Sequence, residues 1–449
     1  MQSLEKKALK GSIWTVGGYG TSQVLRFLNN VILARLLTPE LFGLMTLVNT
    51  FITGVQLFSD IGIGQSIVQN KRGDDPIFFN TAWTLQGIRG IGLWFVCLAL
   101  TIPVANFYGE ESLKYIFPVS GLNIILSGFT STSLATLQRR LRQGRKIVFG
   151  LVVQVTSLLT MTAWALISPT IWALVAGSLV SSLVNSIGSH FLLPDVKNKF
   201  HIDREAMKEL FSYGKWIFVA TLLFFFAQQT DRLVLGKLVP LELLGVYGIA
   251  RALSDIFRNV VLKLNNEIVF PFISRLSDIP RSELYEKVKP TRQKFLLIAG
   301  LGLAFPVCFG DVAVSVLYDD RYVDATWMLP ILCLGIWFSV LFQTCESSLK
   351  GLGKPIYAAQ ANFVKLGTLF FGLPWSFQQY GILGCILTIA ASEFFSYLAV
   401  QYGLIREQFV FLKQDVIMTL YTVGIIAIFG ALRWSLGFGF SVQNLWLPG

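Results

Sequence analysis

Four arginines stand well inside long apolar runs of this chain: Arg26 in "QVLRFLNN", Arg89 in "LQGIRGIG", and Arg251 and Arg258 in "ARALSDIFRN". A guanidinium is permanently charged, and its planar donor fork matches a phosphate or carboxylate in bidentate fashion. The chemistry open to such a set is capture of an anionic group. Amides accompany the arginines at Asn29, Asn30, Gln86, Gln228, Gln229, Asn265 and Asn266. An amide both donates to and accepts from hydroxyls, which suits a sugar. Carboxylates occupy similar surroundings at Asp60, Asp231, Asp255, Glu346 and Glu393, as does the cation Lys365. Two readings stay open for the carboxylates. Each either neutralises a neighbouring arginine or lysine, or couples a proton or sodium ion to a transport cycle.

Catalysis has little to build on. The chain contains no GxxxxGK[ST] phosphate loop and no HExxH, GxSxG or loop-borne DxD, so no ATPase or metalloprotease chemistry is expected. His190 and His201 are too few for an imidazole-built metal site. Cys97, Cys308, Cys333, Cys345 and Cys385 all sit in apolar segments without a CxxC pair, as small core residues do. No metal and no cofactor is expected. The rival from another class is a membrane glycosyltransferase or ligase. That would need a sizeable extramembrane domain, and the longest polar connections here run to only about 15–20 residues.

Charged groups in apolar runs need elements that keep them away from lipid. Of 449 residues, 53% are hydrophobic and only 14% charged, where a soluble protein carries about 25% charged. The apolar runs approach the ~20 helical residues that span a bilayer. The spacing predicts helices at 12–37, 41–68, 79–107, 113–138, 147–168, 170–193, 209–236, 241–273, 291–317, 325–349, 356–377, 382–404 and 413–433. The expected fold is therefore all-α and polytopic, with about thirteen transmembrane helices, twelve to fourteen allowing for the ends. With the N-terminus inside, 23 of the 37 basic residues fall in cytoplasmic segments. Only Arg35, Lys114, Lys237, Arg321 and Arg433 fall outside. This bias orients the chain and accounts for the +11 net charge through contact with anionic lipid headgroups rather than nucleic acid. "MQSLEKKALKG" reads as a retained, basic cytoplasmic lead. In the eighth helix, with Arg251 at zero, Asp255 lies at about 40° and Arg258 at about −20°, on one polar stripe with Asn265 at about −40°. Such a stripe is expected to face a water-filled cavity.

A displacement of 202 residues superposes "WTVGGYGTSQVLRFLNNVILARLLTPELFG" (14–43) on "WIFVATLLFFFAQQTDRLVLGKLVPLELLG" (216–245). Trp14 meets Trp216, Arg35 meets Lys237, Glu40 meets Glu242 and Gly43 meets Gly245. "NFYGEE" (106–111) echoes "VLYDDRY" (316–322) in the same way. Both copies start from the same side, so two six-helix lobes related by a parallel repeat are expected around a central cavity. The expected division is a lobe at 1–195, a cytoplasmic linker at 196–208, a second lobe at 209–404, and an extra helix and tail at 405–449.

The stretches "LARLLTPELFG", "FSDIGIGQSIVQ" and "LGVYGIARAL" resemble the polysaccharide-export (Wzx-type) oligosaccharide flippases of the multidrug/oligosaccharidyl-lipid/polysaccharide (MOP) exporter superfamily, over nearly the whole chain. The resemblance implies two six-helix lobes forming a V, in a cell inner membrane. It also implies flipping of an undecaprenyl-diphosphate-linked oligosaccharide from the cytoplasmic to the outer leaflet for lipopolysaccharide or other surface polysaccharide biosynthesis. Family members use cavity cations for their anionic substrate, and Arg26, Arg89, Arg251 and Arg258 are at suitable positions for that role. Asn30, Asp60, Asp231, Asp255, Asn265, Glu346 and Glu393 are the expected polar or ion-coupling residues, and Trp83, Tyr247 and Phe257 the expected sugar-facing aromatics. Expected partners are the lipid-linked oligosaccharide, membrane lipids, and a polysaccharide polymerase or chain-length protein. The alternative within the superfamily is a multidrug exporter, which would carry a mainly acidic cavity.

Overall fold

The computed structural model describes residues 2–59, 62–140, 142–265, 273 and 279–439, and the regular elements among them are helical. We number the α-helices α1 (Gln2–Leu36), α2 (Pro39–Leu57), α3 (Ile63–Gln69), α4 (Pro76–Tyr108), α5 (Leu113–Gly128), α6 (Ser133–Arg139), α7 (Gln143–Ile167), α8 (Ile171–Ser189), α9 (Arg204–Leu238), α10 (Leu241–Leu264), α11 (Arg281–Leu317), α12 (Ala325–Gly351), α13 (Ile356–Arg406) and α14 (Leu412–Ser435). Local chemistry sets several ends. Pro39 and Pro76 open α2 and α4, where a missing N–H costs nothing. Asp75 accepts from the backbone N–H of Ile77 at 3.0 Å, capping α4. Gly109, at φ 71°, closes that helix.

Eight of the described helices are long and apolar enough to cross a membrane: α2, α4, α7, α8, α11, α12, α13 and α14. Two expected spans are interrupted. The run at 41–68 holds two helices, α2 ending at Leu57 and α3 beginning at Ile63, with Gly62 before α3 at a left-handed φ of 64°. The run at 113–138 is α5 and α6, separated at 129–132. Conversely, the spans expected at 356–377 and 382–404 are the two arms of α13, which breaks at Gly381 (φ 58°, ψ −145°). The arms run antiparallel. A Cβ placed on Gly384 would lie 2.4 Å from the Ser376 carbonyl oxygen, and one on Gly372 would lie 2.9 Å from Thr388 Cγ2.

The chain forms two compact units, Met1–Phe225 and Phe226–Gly449, and the division falls within α9. In the first unit, Ile63, Ile67, Phe78, Ala82, Ala206 and Leu210 pack into one core cluster. Helices α4 and α5 approach closely through glycine: a Cβ on Gly90 would meet the Ile124 carbonyl at 3.0 Å, and one on Gly128 the Gln86 carbonyl at 2.9 Å. In α7, Ala165 is buried while Leu159, Leu166 and Ile167 are exposed. Lipid tails are as apolar as these side chains, so a bilayer is the solvent this surface fits. In the second unit α12 is buried around its whole circumference, with α10, α11 and α13 against it. The last helix, α14, packs on α11 and is fastened by Arg433 to Asp311 at 2.5 Å.

Candidate anion-binding charge network

In the second unit the stripe on α10 is present, and it points inward: Arg251, Ser254 and Arg258 are buried. The i, i+4 spacing sets Arg251 Nε 3.3 Å from Asp255 Oδ1, and the i, i+3 spacing sets Arg258 Nε 3.8 Å from the same carboxylate. The end of α9 adds Asp231, whose Oδ2 lies 3.9 Å from Arg251 Nε and accepts from the Tyr247 hydroxyl at 2.5 Å. Arg232 lies 3.7 Å from Asp255. The two arms of α13 close the far side. Lys365 Nζ donates to Glu393 Oε1 at 2.8 Å, and Arg258 pairs with the same oxygen while donating to Gln228 Oε1 at 3.1 Å.

Four basic side chains (Arg232, Arg251, Arg258 and Lys365) thus share three carboxylates (Asp231, Asp255 and Glu393). The cluster holds one excess positive charge. Its hydrogen bonding is also incomplete, since Arg251 Nε, Arg258 Nε and Asp255 Oδ1 are buried and have ion-pair neighbours but no well-formed hydrogen bond. Unfilled donors beside net positive charge in a low-dielectric site favour an anion. At the Asp255 and Arg232 edge the side chains keep 24% and 28% of their exposure, while Glu393 keeps 5%. The network therefore has an open edge and a closed end.

The other sequence-selected residues lie apart. Asn265 donates to Ser347 Oγ at 2.7 Å, and Glu346 pairs with Lys350 at 2.9 Å, so neither joins the cluster. Asp60 and Asn266 fall outside the described residues. In the first unit, Arg26 is exposed on α1 and Asn30 is half-buried there. Arg89 donates from Nε to Ser59 Oγ at 2.8 Å and reaches the Gln56 carbonyl at 2.5 Å. It lines a cavity of about 280 Å³ with Gln56, Gln86 and Ser127. Two of the expected sugar-facing aromatics are instead packing groups. Trp83 is buried among Phe129, His190 and Phe200, with its indole N–H on the Phe129 carbonyl, and Tyr247 is fully buried against Asp231.

Sequence reasoning missed two clusters. Arg292, one of the 23 basic residues counted in cytoplasmic segments although it lies at the start of the helix expected at 291–317, is fully buried. It lies 2.5 Å from Asp415, donates to Thr344 and Gln414, and sits over the Phe411 ring at 4.8 Å. Helix α11 starts ten residues before the expected 291, which draws Arg292 inside. Opposite signs near the starts of α11 and α14 were the available signal. The second cluster is centred on Arg139, which donates to the carbonyls of Ile67, Val68, Asn70 and Lys71 at the end of α3 and to Asp74 at 2.8 Å. A cation there completes carbonyls that the short helix leaves unpaired. Arg140 joins Asp74 to Asp195 at 2.5 Å, tying the interhelix connection to α6. Partial burial pushes the Asp74 carboxyl up, but hydrogen bonds from Arg139 and Arg140 outweigh it and hold it below the usual range. The hydrogen bond from Arg140 likewise holds Asp195 low.

The chain as a whole is similar to known proteins in sequence and in fold. The profile of a family described as "Polysaccharide biosynthesis protein" matches residues 32–326. Lipopolysaccharide biosynthesis protein WzxC of Escherichia coli (strain K12) is 20% identical over 349 residues, covering 74% of this chain and 67% of that protein. Lipid II flippase MurJ, in an inward closed conformation, superposes with a TM-score of 0.70 at 13% identity, covering 94% of this chain and 92% of its own. An inward-facing multidrug resistance MATE family transporter of the MOP superfamily superposes with a TM-score of 0.60 at 13% identity, covering 91% and 95%. The chain shares its fold with these two solved structures.

Proposed function

This chain belongs to the polysaccharide biosynthesis protein family, and from that premise we propose that it flips an undecaprenyl-diphosphate-linked oligosaccharide from the cytoplasmic to the outer leaflet of the inner membrane by alternating access. The observation that carries the reading is the charge network of the second unit: four cations on three carboxylates, with guanidinium Nε donors left without well-formed hydrogen bonds. In this mechanism the diphosphate reaches the network from the edge where Arg232 and Asp255 are partly exposed. Phosphate oxygens then replace carboxylate oxygens on the Arg251 and Arg258 forks. The exchange is close to balanced, because one charge-assisted partner substitutes for another. Binding therefore changes which helices the arginines hold together, and a ligand moves a conformational equilibrium only through such a difference between states. The lipid tail stays in the bilayer, amides meet the sugars, and the first unit contributes Arg26 and Arg89. A polymerase or chain-length protein receives the product, and the N-terminus lies in the cytoplasm.

Names among the relatives support this reading: WzxC is a lipopolysaccharide biosynthesis protein and MurJ a lipid II flippase. The MATE likeness makes a multidrug exporter the second reading. A drug cation would have to enter a cluster with excess positive charge, which opposes it. The deciding experiment is complementation of a flippase-null strain with the wild-type chain and with Arg258→Gln, Arg251→Gln and Arg251→Lys, each matched for membrane level. We expect surface polysaccharide from the wild type, at least a tenfold loss with either Gln variant, and partial activity with Lys, which keeps the charge but not the fork. Full export by both Gln variants would remove the network from the mechanism.

A further inference from the structure

We propose that the polar pocket between α3 and α6 of the first unit is a loading subsite for the sugar portion of the translocated headgroup; this rests on the flippase reading above. The pocket holds about 440 Å³, within the range of ~300–1,000 Å³ common for small-ligand sites. Its lining is unusual for an apolar chain. Gln65, Gln69, Gln86 and Gln138 bring amides, and the 130–132 turn brings Thr130, Ser131 and Thr132, the last two with their hydroxyls bonded to Asn198; Lys146, which donates to Gln138 Oε1 at 2.7 Å, brings a positive charge. No carboxylate is among the described lining residues. That set suits a neutral or acidic carbohydrate, with the amides for its hydroxyl groups and Lys146, exchanging its bond to Gln138, for a carboxylate or phosphate. It repels a cation.

The break pattern of the helices supports a ligand-accessible space. Both interrupted spans, α2/α3 and α5/α6, meet at this pocket, since α3 and α6 are neighbours and the 129–132 break supplies three of its lining residues. Non-helical backbone inside an apolar run is tolerated where it is buried in protein or lines a wet cavity. Gln86 also lines the cavity at Arg89. One amide therefore touches both spaces, and a polar path leads from Lys146 toward a second cation. The pocket is on the side that the basic residues mark as cytoplasmic, where an undelivered headgroup would wait.

Gly64 makes a clean test. It lines the pocket, it is helical, and a Cβ added there meets nothing within 4 Å. Gly64→Leu should fill the pocket without disturbing the fold. Gly92→Leu, equally open but outside the lining, is the control. In the flippase-null strain we expect Gly64→Leu to cut surface polysaccharide at least fivefold at unchanged membrane level, with Gly92→Leu at the wild-type value. As a direct readout, Gln65→Cys is labelled by an impermeant maleimide in inverted membrane vesicles; the five native cysteines are all buried. Vesicles from cells that make the lipid-linked oligosaccharide should label several-fold more slowly than vesicles from cells lacking the initiating sugar-phosphate transferase. Repeating this with vesicles whose glycan lacks acidic sugars separates the two anion sources: protection persists if Lys146 meets the lipid phosphate and falls if it meets the glycan. Equal labelling with and without the lipid-linked oligosaccharide, or wild-type export by Gly64→Leu, overturns the subsite while leaving the flippase reading intact. A wild-type chain that fails to restore export sinks the flippase reading, and the labelling comparison still decides whether the pocket takes a lipid-linked glycan.

Discussion

Glu393 is the residue on which the buried network turns. Its Oε1 accepts from both Lys365 and Arg258, and all three side chains are buried. Breaking a buried pair by removing one partner strands the other charge, at a cost of about 3–5 kcal/mol. Glu393→Gln removes the one carboxylate that Lys365 and Arg258 share, so we expect a large fall in melting temperature in detergent. Lys365→Met removes one cation and leaves Arg258 with Glu393, a balanced pair, so its effect should stay within about 1 kcal/mol. Comparable losses in the two variants would show that charge balance does not govern this site. The residue scale also explains why an i, i+4, i+7 polar pattern on α10 was readable in advance: its members are on one chain and one helix. Lys365 and Glu393 were visible as charges in apolar runs. Their partnership with Arg258 was not, because the contacts join positions 28 and 135 residues apart.

Elements and their breaks carry the next set of consequences. The reversal in α13 depends on Gly381, whose φ of 58° and ψ of −145° lie in a region that side chains exclude. Gly381→Ala should destabilise by about 1–3 kcal/mol. Gly367→Ala, in the same helix with open space around its Cβ, should be neutral or stabilising by under about 1 kcal/mol. Thermal melts of both variants check the contrast. Around Arg139 and Arg140, the carboxyls of Asp74 and Asp195 titrate below their unfolded value of about 3.9. A depressed folded pKa gives stability that is complete above the unfolded pKa and is lost as pH falls through the folded one. The tie between α3, α6 and the connection at 195 should therefore be insensitive to pH from about 5 to 8 and weaken below about 4. Arg140→Gln should lessen that acid-dependent drop in melting temperature, because it releases both carboxyls from one of their guanidinium partners. Arg139→Ala should lower stability by about 2 kcal/mol at neutral pH through the carbonyls it uncaps.

On the scale of the whole molecule the governing quantities are apolar surface and the sidedness of charge. The exposed leucines, isoleucines and phenylalanines of α4 and α7 fit lipid contact, and basic residues crowd one set of connections. Reporter fusions after residues 199 and 353 should be active on the cytoplasmic side, and those after 110 and 320 on the outer side. An inverted pattern would overturn the orientation, and with it the direction assigned to transport.

Composition and periodicity by themselves determined the membrane class, most helix positions, the polar stripe on α10 and the absence of catalytic motifs, because each depends on neighbours within one helical turn or one span. Tertiary structure decided which charges meet. It drew Arg292 into the interior beside Asp415, made Arg139 a cap for α3, and turned Trp83 and Tyr247 into packing groups. It also opened polar space where two helices break side by side. The physical reason is range: hydrophobic spacing is written along a single helix, whereas an ion pair acts over a few ångströms between residues that the chain itself holds far apart.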